Sequence, residues 1–214
     1  MEQVHVKICG LTTVAQVTTA LDVGANYIGF MTFPKSPRHL STEDAGALAA
    51  LTIGRAKSVS VLVNPSEDLI ARVLEDIKPD YVQLHGSETP QFCASLQARG
   101  VGVIKAFGVS GADDLDLVSP YLGAIDMVLF DARPPKDALR PGGLGQVFDW
   151  TVLKDLDLPV PWFVSGGLNA SNVRQACKVS GAKMVDVSSG VESAAGLKDD
   201  ALMRAFMAAV KTDA

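Results

Sequence analysis

An α/β chain closed into a single-domain (β/α)8 TIM barrel is the architecture this sequence predicts, and two observations carry it. Eight short apolar runs, at 4–9, 27–31, 57–63, 81–85, 101–107, 126–131, 161–165 and 184–188, recur every 20 to 35 residues. Four of them share one run-in, a helix end that meets a glycine or proline turn and passes straight into the apolar stretch: "DVGANYIGF", "DIKPDYVQLHG", "YLGAIDMVLFD" and "VSGAKMVDVSSG". A helix that stops on a C-terminal glycine and feeds a buried strand is half of a βαβ unit. Eight alternating β and α elements fit a closed barrel, near the short end of its size range, better than an open doubly wound sheet of five or six strands.

In chain order, the first run (4–9) ends in Cys9, and Thr12 or Thr13 caps a helix whose Val14, Val17 and Leu21 share one face. Beyond the second run (27–31), Ser41 with Asp44 resembles a capping box. The third run (57–63) leads to Pro65 and the stripe Ile70, Val73, Leu74 and Ile77. The fourth (81–85) ends in His85, and the fifth (101–107) precedes the sixth (126–131), which closes on Asp131. The seventh (161–165) runs through glycines to a helix N-terminus near Asn169, and the eighth (184–188) carries Asp186 and Ser188. No Ser/Gly-rich linker or shift of composition interrupts residues 1–214, so one domain is expected.

Composition narrows the function. With 48% apolar residues among 214, the chain can bury a sizeable core. The formal net charge is -5 and the 19 Lys and Arg are scattered, which argues against nucleic acid as a partner. No run approaches the ~18 apolar residues of a membrane span, and the first residues lack a signal-peptide pattern, so a cytoplasmic protein is expected. Cys9, Cys93 and Cys177 lie far apart and outside C-x-x-C spacing, which reads as free thiols rather than disulfides or zinc ligands.

In a barrel, chemistry gathers where strands end and βα loops begin. Those positions hold Cys9, Asn64, His85, Asp131, Ser165, Asp186 and Ser188. A buried thiol is ordinarily a small hydrophobe, but Lys7 lies on the same strand face, and a neighbouring ammonium favours the thiolate that removes protons. Lys7 reads equally as a structural ion-pair member, and barrel closure, which makes the first and last strands neighbours, sets it beside Asp186. Asp131 reads either as a cap or loop acceptor or, paired across the barrel with Cys9, as half of an acid–base couple. "FVSGGLNASNV" and "VDVSSGVE" offer glycines and backbone N–H groups suited to a phosphate. Arg38, in the proline-stiffened "PKSPRHLS", is either solvated charge or a fork for a carboxylate. His85 is either a core histidine or a substrate contact.

The set "KICG", "SPR", "QLHG", "FD", "GGLGQVFDW", "SGGLNASNV" and "DVSSGVE" resembles, in order and over nearly the whole chain, phosphoribosylanthranilate isomerase. The resemblance implies an Amadori rearrangement in tryptophan biosynthesis on a small phosphorylated substrate, with neither metal nor cofactor. It implies Asp131 as general acid and Cys9 as general base. It implies Arg38 at the anthranilate carboxylate, Gly167, Ser189 and Gly190 around the phosphate, and Asp186 near the ribose; Ser188 and His85 join the substrate-binding set. Leu144 stands where the family has a small hydroxyl residue, and Thr32 where an aromatic or aliphatic one is usual. A monomer is the expected state. Two rivals are weighed. A metal-dependent epimerase would need a His and Asp cluster that three histidines hardly supply, and a metabolite-sensing barrel would not need Cys9 and Asp131 together.

Overall fold

A computed structural model of the chain describes residues 4–133, 142, 143 and 145–211. Eight parallel strands close in chain order: β1 (His5–Cys9), β2 (Tyr27–Met31), β3 (Lys57–Leu62), β4 (Tyr81–Leu84), β5 (Gly102–Val109), β6 (Met127–Ala132), β7 (Trp162–Val164) and β8 (Met184–Val187). β8 pairs back onto β1, with Lys7 in register with Asp186. β2 has its expected bounds and the other strands depart from theirs by one or two residues.

Alternation along each strand sorts the side chains into two shells. One set, including Cys9, Val59, Val61, Ile104, Leu129 and Phe163, packs into a cluster of its own within the barrel. The other, including Ile8, Ile28, Phe30, Leu84, Val128 and Phe130, joins the larger core beneath the helices.

Between the strands run α1 (Val14–Asp22), α2 (Thr42–Ala49), α3 (Glu67–Arg72), α4 (Pro90–Gln97), α5 (Val173–Ser180) and α6 (Asp200–Lys211). Thr13, Ser41, Ser66 and Thr89 cap the first four, each side-chain oxygen accepting from a backbone N–H three residues on. On α1 the expected face is corrected at Val14, which is 60% exposed, while Val17, Ala20 and Leu21 are buried. Val14 opens the helix, and its Cβ tilts towards the N-terminus, past the strand layer. Ile70, Val73 and Ile77 are buried as expected, although α3 gives way to a π-helical turn at Val73–Ile77 that closes on left-handed Lys78. Helix α6 reaches α1, where Lys211 Nζ donates to Val23 O at 2.8 Å.

Two crossovers carry 3-10 structure among the described residues. Between β5 and β6 the chain forms a 3-10 helix, Ala112–Tyr121, and between β6 and β7 the described part is a 3-10 turn, Trp150–Leu153. Pro120 removes a donor from the first, and the Asp114 carboxylate draws Ser110 N, Ser110 Oγ and Gly111 N into a local turn. After β8 the chain adds an unforeseen 3-10 turn (Ser189–Val191) and an antiparallel hairpin, β9 (Glu192–Ala194) with β10 (Leu197–Lys198). Among the described residues, no helix is long and apolar enough to cross a membrane.

Candidate active site

A cavity opens over the C-terminal ends of the strands. Cys9, Arg38, His85, Asp131, Gly167, Asp186, Ser188 and Ser189 all line it, joined by Gln83, Gly142, Ser165 and Gly166. Eight of the nine candidate residues thus line one cavity; Gly190 follows Ser189 in the chain. Asn64, another strand-end residue, serves the scaffold instead: its Oδ1 accepts from Ser87 N at 2.8 Å and ties together the loops after β3 and β4.

Cys9 closes β1 against β2, where Gly29 leaves it room: a Cβ there would lie 2.7 Å from Cys9 Sγ. Lys7 Nζ donates to Asp186 Oδ1 at 2.9 Å, joining the first strand to the last. Burial pushes the Cys9 thiol up and the Asp186 charge adds to this, while Lys7 and Lys198 pull it down without prevailing. Lys7 thus favours the thiolate, as expected, but burial outweighs it. Burial would lower the Lys7 ammonium, but the Asp186 and Cys9 charges raise it overall.

Asp131 is the last residue but one of β6, with its two oxygens differently placed. Oδ1 accepts from Ala132 N at 2.9 Å, while Oδ2 lies 3.4 Å from His85 Nε2. His85 Nδ1 lies 3.3 Å from Gln83 Nε2. A donating Gln83 amide makes Nδ1 the acceptor and places the ring N–H on Nε2, towards Asp131. His85 lines the cavity beside Asp131. Gly142 lies against this pair: a Cβ on it would stand 2.6 Å from Asp131 Oδ2 and 2.8 Å from His85 Cε1.

The loops after β7 and β8 fit closely together. Gly166 and Gly167 have φ of 86° and 61°, a region L side chains rarely adopt. A Cβ on Gly190 would lie 1.8 Å from Leu168 O, so the two loops touch backbone to backbone. The helix that follows begins later than expected, at Val173. The segment from Asn169 is a turn in which Asn169 N donates to Asn172 Oδ1 at 2.8 Å and Asn172 Nδ2 donates to Gly167 O at 3.0 Å. The asparagines take up local backbone groups and hold the glycine loop from behind. Among the described residues, no group of three or more His, Cys, Asp or Glu could hold a metal ion.

A family model described as N-(5'phosphoribosyl)anthranilate (PRA) isomerase matches residues 6–209. The chain belongs to this family. It is similar to the N-(5'-phosphoribosyl)anthranilate isomerase of Rhodopseudomonas palustris strain BisB5, 50% identical over 209 residues, which are 97% of this chain and 96% of the relative. The enzyme of the same name from Rhizobium meliloti strain 1021 is 49% identical over 97% of each chain. Among solved structures, phosphoribosyl anthranilate isomerase from Thermotoga maritima superposes with a TM-score of 0.86 at 36% identity, covering 98% of this chain and 99% of that one. Another structure of such an isomerase, in complex with reduced 1-(o-carboxyphenylamino)-1-deoxyribulose 5-phosphate, matches with a TM-score of 0.83 at 34% identity, again over 98% and 99%.

Within this PRA isomerase fold, Arg38 departs from the simple expectation of a free fork. Its Nε and Nη2 donate to the two oxygens of Glu192 at 2.6 and 2.8 Å, and both side chains are only 4% exposed. One edge of the guanidinium is occupied internally. Nη1 points elsewhere, 2.8 Å from where a Cβ on Gly143 would stand. Glu192 was visible in "DVSSGVE" without a role, and Lys198, whose Nζ meets Glu192 Oε1 at 2.6 Å, carried no signal at all. Gln83, inside β4 beside His85, was also missed, although its spacing of two puts it on the His85 face. Leu144 lies outside the described residues. Thr32 is buried with its hydroxyl unpartnered, and nothing in the structure explains it.

Proposed function

We propose that the chain converts N-(5'-phosphoribosyl)anthranilate to 1-(2-carboxyphenylamino)-1-deoxyribulose 5-phosphate in tryptophan biosynthesis, with Asp131 as general acid and Cys9 as general base. The observation that carries the roles is that β6 and β1, three places apart around the ring, send an acid and a thiol into one cavity flanked by the glycine loops. Asp131 Oδ2 gives a proton to the ribose ring oxygen as the C1–O bond breaks and the anthranilate nitrogen supplies the electron pair of a protonated Schiff base. Cys9, as thiolate, then takes the C2 proton, and those electrons neutralise the iminium to give an enolamine. Loss of the C2 hydroxyl proton and protonation at C1 yield the ketone. Atoms and electrons balance within the substrate, so the reaction requires no redox partner. The raised thiol places the active thiolate on the alkaline side of the profile, with Lys7 and Lys198 favouring it.

The substrate is anionic at both ends. Arg38, through the edge that Glu192 leaves open, faces its carboxylate; Gly167 and Ser189, braced by Gly190, take the phosphate; Asp186 and Ser188 face the ribose, and His85 orients the acid. The test follows loss of anthranilate-type fluorescence from freshly prepared phosphoribosylanthranilate. The native chain should turn it over, and folded Cys9→Ala and Asp131→Asn should each lose about 10² to 10⁴ in rate. No turnover by the native chain overturns the substrate. Near-native turnover by folded Cys9→Ala overturns the thiol's role.

A further inference from the structure

Lys198 is a buried lysine that transfers no proton in the reaction just described. Its side chain is 0% exposed, yet Nζ meets three acceptors: Ser188 O at 3.0 Å, Ser188 Oγ at 3.1 Å and Glu192 Oε1 at 2.6 Å. Ser188 Oγ spends its own proton on Cys9 O, at 2.9 Å, so towards Lys198 it can only accept. Three acceptors need three N–H donors, which an ammonium has and a neutral amine lacks. The three acceptors call for the ammonium, which the Glu192 and Cys9 charges favour, although burial lowers the group overall.

Each partner leads to a functional side chain. Through Ser188 the ammonium holds the end of β8 against the Cys9 backbone. Through Glu192 it holds the carboxylate that orients Arg38, and Gly196 N, in the hairpin turn, donates to Glu192 Oε2 at 3.1 Å. The charges do not cancel. Lys7, Arg38 and Lys198 are three buried cations, against two carboxylates, Asp186 and Glu192. One positive charge is left over on the Cys9 side of the cavity. A Cys9 thiolate, or an anionic substrate, would neutralise it.

We propose that Lys198 is a positioning residue: its ammonium locks Ser188 and Glu192, fixes Cys9 and Arg38 through them, and supplies the surplus charge that favours the Cys9 thiolate. The proposal rests on the reading of Cys9 as base, and its test is independent of turnover. The charged groups facing Cys9 are Lys7 on its own strand, Asp186 on β8 and Lys198 on β10; those facing Lys198 are Glu192, Arg38 and Cys9. Lys198 acts on the thiol in the direction proposed, and Cys9 acts reciprocally on Lys198.

The experiment measures alkylation of Cys9 by iodoacetamide against pH, read by mass spectrometry on the Cys9 peptide, in the full-length native chain, Lys198→Met and Glu192→Gln. Removing the cation should move the midpoint up by about 1, so that alkylation at a fixed pH below it falls roughly tenfold. Removing the carboxylate leaves the ammonium unopposed and should move the midpoint down. A purely structural role would loosen the hairpin in both variants and shift neither midpoint, or both the same way; either result overturns the proposal. If Lys198→Met fails to fold, Glu192→Gln decides alone, and a midpoint that does not fall overturns it. The underlying reading fails separately, when folded Cys9→Ala keeps turning over substrate.

Discussion

Gly190 shows how narrowly a single position can be fixed. The obstacle to a side chain there is the Leu168 carbonyl, 1.8 Å from the Cβ position, and a backbone oxygen cannot rotate aside as a side chain would. Gly190→Ala must push the loop after β8 away from the loop after β7. We expect a loss of about 1–3 kcal/mol in urea unfolding, as for other overpacked sites, together with a Michaelis constant raised at least about tenfold. An unchanged Michaelis constant would show that the two loops do not form the phosphate cradle as a unit. The need for glycine at "SSG" was legible, but its reason was not, because it lies in a contact across two loops. Cys9 and Asp131 were legible because each ends an apolar strand, a position with chemical meaning in a barrel. The state of the thiol was not. Lys7 could be placed on its face from the spacing of two, but the direction of the net shift follows from burial, which a spacing does not reveal.

The β9–β10 hairpin is too short to read from sequence: three and two residues give no alternation to count, and Lys198 sits in the polar stretch "GLKDD". The eight barrel strands were legible because burial on both faces makes them rich in apolar residues, with polar ones such as Lys7 and Asp186 set among them. The 3-10 crossover after β5 was hidden, since local turn chemistry at Asp114 and Pro120 decided it. The hairpin is held by Glu192, and this gives it a pH signature. Burial alone would raise that carboxyl, but the Arg38 and Lys198 bonds hold it down at about 2. A carboxylate depressed in the folded state contributes stability above its ordinary value of 4.5, and loses it as pH falls towards 2. That contribution is about 3 kcal/mol. The stability gap between native chain and Glu192→Gln, followed by urea unfolding, should therefore be wide at neutral pH, narrow from about pH 4 downward and nearly close at pH 2. A gap that stays constant would remove the charge from the account.

Barrel closure makes the first and last strands neighbours, and that alone let Lys7 be matched with Asp186 before any coordinates, from the ends of a 179-residue span. The pair is buried, so removing one partner strands the other's charge in the interior. Lys7→Met should cost about 3–5 kcal/mol, and Lys7→Met with Asp186→Leu should recover most of it, because two apolar groups replace two dehydrated charges. Urea unfolding of both variants checks this; a double variant as unstable as the single would mean that the pair stabilises the barrel outright. Either variant should be inactive, since both residues adjoin Cys9.

The same seam bears on when this chain becomes an enzyme. Lys7 meets Tyr27 of β2 across 20 residues but Asp186 of β8 across 179. Closing the longer loop costs about 2 kcal/mol more in chain entropy, so neighbouring strands are expected to pair first and the ring to shut last. Cys9 is on one side of that gap, with Asp186 and Ser188 on the other. During refolding from urea, helical circular dichroism should therefore recover ahead of catalysis, with activity returning only in the slowest phase. An unfinished barrel would be well built and catalytically silent.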